Sequence, residues 1–261
     1  NLPSSLRFIG EAAFSDCISL KVDPLIFPEG VEIINDFLFV NCKELKGTVI
    51  LPSTIKEIGE GAFFQAKISS INFPEGLNKI GNGAFYACRL KEAQLPESWQ
   101  NLSASCIFQL NLELESIHLP DGIESIPHGF ANACLKLSDV NIPSSVRNIE
   151  NYAFWQCRSL KNLELPSTLE SIGKVGLWYL DSLETIVFPS TLKLVGAESC
   201  SYWANIKQIY CTAINPPVCE NSNTNPGNTP FGAYGSTFDM RTPQDTPIYV
   251  PVGSADLYRQ T

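Results

Sequence analysis

The sixteen-residue segment Leu2-Pro-Ser-Ser-Leu-Arg-Phe-Ile-Gly-Glu-Ala-Ala-Phe-Ser-Asp-Cys17 returns, in recognisable form, about every 23 residues until about residue 205. Each unit is anchored by a proline: Pro3, Pro28, Pro52, Pro74, Pro96, Pro120, Pro143, Pro166 and Pro189. A unit of this size cannot bury an apolar face by itself, so stability has to come from stacking on its neighbours. The chain is therefore expected to form one elongated body. Residues 1–205 make about nine coils of 22–25 residues, and residues 206–261 form a capping segment continuous with them.

Three columns of this repeat are inward-facing by composition. The third residue after the proline is Leu6, Val31, Ile55, Leu77, Trp99, Ile123, Val146, Leu169 or Leu192, with no polar exception. The sixth is Ile9, Ile34, Ile58, Ile80, Leu102, Ile126, Ile149, Ile172 or Val195, and the eleventh is mainly phenylalanine, as at Phe14, Phe39, Phe63, Phe85 and Phe154. Gly10, Gly59, Gly81, Gly173 and Gly196 follow the sixth position, where the expected reason for glycine is a corner with positive φ. Upstream of each proline lies a partly alternating stretch such as Leu160-Lys-Asn-Leu-Glu-Leu165, which predicts a short strand closed by a residue that cannot donate to a ladder. Stacked at roughly 4.8 Å, these strands would form a parallel sheet about 40 Å long. Only four or five residues remain for the opposite wall, enough for a 3₁₀ or single helical turn but not for a long helix.

The spacing Leu-x-x-Ile-x-Leu-Pro followed by Ile-Gly-x-x-Ala-Phe-x-x-Cys resembles the BspA-like branch of leucine-rich-repeat proteins over residues 2 to about 205. The resemblance implies an α/β repeat solenoid, a right-handed superhelix with a parallel sheet on one face and short turns on the other. It also implies secreted or surface-displayed bacterial proteins that act in adhesion or host interaction. Ile209-Tyr-Cys-Thr-Ala-Ile-Asn-Pro-Pro, Ile248-Tyr-Val-Pro-Val-Gly-Ser and Tyr258 are similar to the terminal segment of that family, which normally continues to a tryptophan. The fifth coil departs most from the pattern, with Trp99, Ser103, Cys106, Ile107 and Leu110 in place of Leu, Gly, Ala, Phe and Cys. In the sixth, Phe130 arrives one residue early.

Five of the nine cysteines, Cys17, Cys42, Cys88, Cys134 and Cys157, stand fourteen residues after a proline. Ala66, Leu110, Leu180 and Trp203 fill that column elsewhere, so the expected role is a buried apolar body carrying a free thiol. Cys211 and Cys219 lie outside the column and are the pair expected to bridge if any does. No Cys-x-x-Cys or His-x-x-x-His spacing points to a metal site, and no cofactor motif is present.

Two histidines, His118 and His128, accompany no nucleophile motif, and no catalytic residue is assigned. A formal charge of −9 repels phosphate backbones and anionic membranes, which argues against nucleic acid as a partner. No apolar run approaches the length of a membrane-spanning helix. Three regions remain as candidates for specificity. Phe64, Tyr86, Phe108, Trp155 and Trp178, twelve residues after their prolines, form an aromatic stripe that either packs over neighbouring coils or is exposed to a protein or glycan. The outward strand positions offer a polar face that includes Glu92, His118, Asp139, Glu164 and Tyr210. The Asn-, Thr-, Gly- and Pro-rich stretch Asn221–Asp245, with Phe231, Tyr234 and Phe238, is either a binding loop or a cover for the last coil.

The expected function is thus a non-enzymatic, extracellular binding or adhesion module at a bacterial surface, meeting a host or neighbouring-cell protein or glycan along a rigid surface. Two alternatives stay open: assembly through stacked solenoid ends, with weak self-association, and a glycosidase using Glu92, Asp139 or Glu164.

Overall fold

A computed structural model of the chain describes residues 2–100, 103–220, 243 and 245–260. It is a parallel β-solenoid whose coils follow the anchor prolines, so coils are numbered here from one at Pro3 to nine at Pro189. Most of the 221–245 stretch and Leu102 lie outside the described residues.

Each coil has three walls. The first is the expected ladder before the proline: Leu25–Ile26, Lys46–Ile50 and Lys67–Ile71 pair in parallel, then Glu92–Gln94, Ser116–His118 and Asp139–Val140, then Thr185–Phe188, Gln208–Cys211 and Ile248–Tyr249. An isolated parallel bridge joins Asn162 to Thr185. A second parallel ladder stands at the sixth column, where only a corner was expected. Ile33–Ile34, Glu57–Ile58 and Lys79–Ile80 form one part of it, and Ser125–Ile126, Asn148–Ile149, Ser171–Ile172, Leu194–Val195 and Val218–Cys219 the other. Its two-residue strands turn the second residue inward and the first outward, and the outward residue is polar at Glu57, Lys79, Ser125, Asn148 and Ser171 but apolar at Ile33, Leu194 and Val218. Both ladders continue past residue 205.

The third wall corrects the expectation of helical or 3₁₀ turns. It consists of consecutive hydrogen-bonded turns, and the one helix among the described residues is Ala255–Gln260 in the closing segment. Backbone bonds run from coil to coil along this wall as well: Phe14 N donates to Leu38 O, Phe39 N to Ala62 O, Phe63 N to Ala84 O and Phe154 N to Gly176 O, at 2.7–3.0 Å. Buried amides are therefore satisfied without a helix.

Glycine at the corner is required for a different reason from the expected one. Gly59, Gly81, Gly173 and Gly196 do not have positive φ; they are crossed at close range by the backbone of the preceding coil. A Cβ on Gly81 would lie 2.6 Å from both Glu60 Cα and Gly59 C. Positive φ occurs two residues later, at Gly61 and Gly83, but also at Ala12, Phe37, Cys106, Tyr152, Val175 and Glu198. It recurs four residues beyond that, as at Gln65, Gln156 and Tyr179. Non-glycine residues at φ near +60° cost of order 1 kcal/mol each, a strain that the inter-coil hydrogen bonds hold in place.

The third and sixth columns are buried from the second coil to the ninth wherever they are described, and the rings of the eleventh column stack as a spine. Phe14–Phe39, Phe39–Phe63, Phe63–Phe85 and Phe85–Phe108 lie 5.2–5.8 Å apart with interplanar angles of 1–13°. Phe108 thus belongs to the core spine, which overturns its assignment to the lateral stripe. The fifth coil holds one extra residue before this point, so its ring falls twelve residues after Pro96 instead of eleven.

That insertion also moves the cysteine column, so its occupant in coil five is the fully buried Asn111 and not Leu110. Ala66 and Leu180 fill the column as apolar bodies, and most of its other occupants also carry a hydrogen-bond donor. Each donor placed there bonds the backbone carbonyl of the ring-column residue one coil earlier: Cys42 Sγ to Phe14 O, Cys88 Sγ to Phe63 O, Asn111 Nδ2 to Phe85 O, Cys134 Sγ to Phe108 O, Cys157 Sγ to Ala131 O and Trp203 Nε1 to Leu177 O. Cys17, in the first of the described coils, is exposed, contrary to the expectation of burial. All nine cysteines are thiols, Cys211 and Cys219 included.

Candidate functional site

The turn wall of coils seven to nine carries a continuous aromatic patch. Trp155 and Trp178 occupy the lateral column next to the spine, both half-buried, with ring centroids 5.7 Å apart and tilted by 50°. Tyr152 packs edge-on to Trp155 at 5.7 Å, while Tyr179 and Tyr202 pack edge-on to Trp178 at 5.1 and 4.9 Å and stack on one another at 4.9 Å. The Arg158 guanidinium sits 4.2 Å from the Tyr179 ring centroid and 3.9 Å from Asp181. All five rings keep intermediate exposure.

The orientation of the indoles decides what this surface can do. The Nε1 atoms of Trp155 and Trp178 are buried and meet no acceptor among the described residues. What solvent reaches on the two indoles is ring carbon, so they offer apolar and ring-face contact, beside the half-exposed tyrosines and the Arg158–Asp181 pair.

The patch is shorter than the stripe expected from the sequence. Phe64 and Tyr86 stack at 4.5 Å on coils three and four, but Gln109 and Asn132 occupy the lateral column of coils five and six and separate that pair from the tryptophans. Tyr152, Tyr179 and Tyr202 were missed. They lie two residues before or after the spine column, at positive-φ positions that swing side chains sideways. The 23-residue spacing of Tyr179 and Tyr202 is the signal that could have exposed them.

The polar strand face is also built as rows. Glu92, Ser116 and Asp139 are in register across three strands, and Gln94 is in register with His118. Together with Asn141 these side chains line a shallow depression of about 190 Å³. Two strand spacings separate Glu92 from Asp139, roughly 9.6 Å with Ser116 between them. Glu164 is exposed outside that depression. Tyr210, half-buried, stacks on Tyr249 at 4.7 Å near the far end of the ladder. Asn141 is partly structural: its amide exchanges two hydrogen bonds with the backbone of Leu119, as Asn72 does with Leu51. Among the described residues no group of three His, Cys, Asp or Glu side chains could hold a metal ion, and no helix is long and apolar enough to cross a membrane.

Comparison with known proteins agrees with this architecture. The profile of the BspA type leucine rich repeat region matches residues 1–113 and 104–223. A leucine-rich repeat protein from Bacteroides ovatus superposes with a TM-score of 0.70 at 26% identity, over 79% of this chain and 59% of that one. The pneumococcal vaccine antigen PcpA shares the fold over 99% of this chain and 64% of its own, with a TM-score of 0.59 at 22% identity. The chain thus spans less than two thirds of the length of either protein. No curated protein matches it in sequence.

Proposed function

We propose, from the premise that this chain belongs to the family of BspA type leucine rich repeat regions, that it is a non-enzymatic binding module of an extracellular, surface-displayed bacterial protein, and that it holds a protein or glycan against the aromatic patch of coils seven to nine. Leucine-rich-repeat solenoids are in general interaction modules. The observation that carries the reading is the patch itself: Tyr152, Trp155, Trp178, Tyr179 and Tyr202 stay half-exposed although a fully buried spine lies directly behind them. Contiguous exposed rings beside an arginine have the composition of an interface hot spot. They are mounted on a ladder bonded from coil to coil, so little ordering entropy is lost on contact.

The test is an array of glycans and extracellular-matrix proteins probed with the whole chain and with Trp155→Ala and Trp178→Ala. Binding should fall at least about tenfold in each variant, the loss of one hot-spot contact. Undiminished binding in both would overturn the aromatic site and move attention to Glu92, His118 and Asp139. A structural role through stacked ends draws on the exposed Ile214, Val218 and Val252 near the closing segment, and would show instead as mass that rises with concentration.

A further inference from the structure

We infer that the row Lys43, Lys67, Arg89, Leu112 and Leu135, on coils two to six, docks an extended polypeptide segment that is acidic at one end and apolar at the other. The row lies apart from the aromatic patch of coils seven to nine and does not depend on it. Lys43, Lys67, Arg89 and Leu135 each stand fifteen residues after an anchor proline, and Leu112 sixteen after Pro96 because of the extra residue in coil five. This column follows the cysteine column and faces outward: Lys43, Arg89, Leu112 and Leu135 are exposed and Lys67 is half-buried. Its side chains reach the turn wall of the next coil. Lys67 Nζ donates to Ala87 O at 3.0 Å, much as the Arg158 guanidinium, from the same column of coil seven, lies over Tyr179.

Charge sets coils two to four apart. Other cations stack over acids from coil to coil, as in Lys56–Glu32, Lys136–Glu113 and Lys193–Glu170, and within the column itself Arg158 is followed by Asp181 at 3.9 Å. Lys43, Lys67 and Arg89 follow one another with no acid between them in the column, and among the described residues none of the three forms an ion pair. Lys46, in register with Lys67, is taken up by Glu44 at 3.0 Å. Burial pulls the Lys67 ammonium below its ordinary value, and the like charges of Arg89 and Lys43 add to the effect. Three crowded cations on a chain of net charge −9 are a local excess that an anionic partner relieves.

The rest of the row selects among anions. Cations at one coil spacing, roughly 4.8 Å, would suit any linear polyanion. The next two coils, however, place Leu112 and Leu135 in the same column at 46% and 36% exposure. An anionic glycan has no apolar side chain to set on them, whereas a polypeptide carries carboxylates and apolar groups on one backbone. Lys43 and Leu135 are four coil spacings apart, about 19 Å, which an extended chain covers in about six residues.

The experiment follows the fluorescence anisotropy of a labelled peptide, an acidic half of Glu and Asp followed by an apolar half of Leu and Phe, titrated with the whole chain in low-salt buffer. An all-glutamate peptide of equal length and a heparin oligosaccharide are titrated beside it. The two-part peptide should bind most tightly, and Lys43→Ala/Arg89→Ala and Leu112→Ser/Leu135→Ser should each weaken it at least about tenfold. All four substitutions fall on exposed side chains, and thermal melts should match the parent. Trp155→Ala should bind the peptide as the parent does, which separates this site from the aromatic patch. No binding of the two-part peptide, equal or tighter binding of the all-glutamate peptide or of heparin, loss in only one of the double variants, or loss in Trp155→Ala would each overturn the assignment.

Discussion

The Cys134 thiol donates to the backbone carbonyl oxygen of Phe108 at 3.1 Å, one coil away. The same bond is made by a thiol at Cys42, Cys88 and Cys157, by an amide at Asn111 and by an indole at Trp203, while Ala66 and Leu180 fill the column without a donor, so the column accommodates a buried donor of variable size. The carbonyls of Phe14, Phe63, Phe85, Phe108 and Ala131 also accept from an amide three residues on, so the side chain from the next coil adds a further bond to an acceptor already in use. Cys134→Ala removes both donor and volume and is expected to cost about 2 kcal/mol, whereas Cys134→Ser keeps a donor and should cost less. Chemical denaturation of the two variants checks the order; equal losses would reduce the column to volume alone.

Burial gives these thiols a pH signature. Cys134 is pushed up to about 12 and Cys42 to about 11 from an ordinary value of 9.0, while Cys88, Cys157 and Cys200 are also raised. A raised folded value means the unfolded chain ionises first, so the stabilisation is complete below pH 9 and declines as pH climbs toward the folded values. Each such thiol should steepen the loss by about 1.4 kcal/mol per pH unit between pH 9 and 11. Denaturant melts across that range should show Cys134→Ala with a shallower slope than the parent; parallel slopes would mean the thiol titrates alike in both states.

Surface ion pairs act at the opposite end of the scale. Arg147, Glu170 and Lys193 form one column across three coils, and Lys161, Glu184 and Lys207 another. Hydrogen bonds from the flanking cations hold both glutamates below the ordinary carboxylate value. A lowered folded value contributes stability at pH above the unfolded value, lost as pH falls through the folded one. Acid unfolding should therefore start at a higher pH in the parent relative to its own neutral stability than in Glu170→Gln/Glu184→Gln, whose curve should be flatter below about pH 4.5. Thermal melts from pH 6 to pH 2 measure it.

Much of this was legible in the sequence because a solenoid writes its core as columns: one buried position, read nine times, identifies itself. Leu6 through Leu192 and Ile9 through Val195 needed no more than counting. The second ladder was missed because a two-residue strand such as Glu57–Ile58 is too short to show alternation. The lateral site was partly misread because counting from Pro96 ignores the extra residue in coil five, which turned the buried Phe108 into a surface ring. Tyr152, Tyr179 and Tyr202 escaped because positive φ at non-glycine residues leaves no compositional mark.

Corner glycines separate two kinds of requirement. Gly81 has the backbone of Glu60 pressed against the site of its missing Cβ, while Gly83, at φ +58, has nothing nearer than 3.7 Å. Gly81→Ala must push two coils apart and is expected to cost about 3 kcal/mol, as overpacking of rigid backbone does. Gly83→Ala pays only for the left-handed conformation, about 1 kcal/mol, a cost already carried by Ala12 and Val175 in the same column. Denaturation midpoints of the two proteins settle the ranking; a larger loss at Gly83 would restore the turn explanation for Gly81.

The sixth coil reverses the order found around it: Ala62-Phe63, Ala84-Phe85 and Ala153-Phe154 become Phe130-Ala131, with Ala131 in the spine register. Phe130 still fills the spine, but from the neighbouring backbone position, and its ring turns edge-on to Phe108 and Phe154, at 86° and 82°, where the earlier rings are parallel. Edge-to-face and offset-stacked pairs are of similar strength, so the inversion changes geometry at little energetic cost. Phe130→Ala alone empties a fully buried site and should cost about 3–5 kcal/mol. Adding Ala131→Phe restores the order of the other coils and should recover most of that loss, because the new ring enters the register that Phe108 and Phe154 already occupy. A double variant no more stable than Phe130→Ala would show that the sixth coil is shaped around the edge-on ring and not merely tolerant of it.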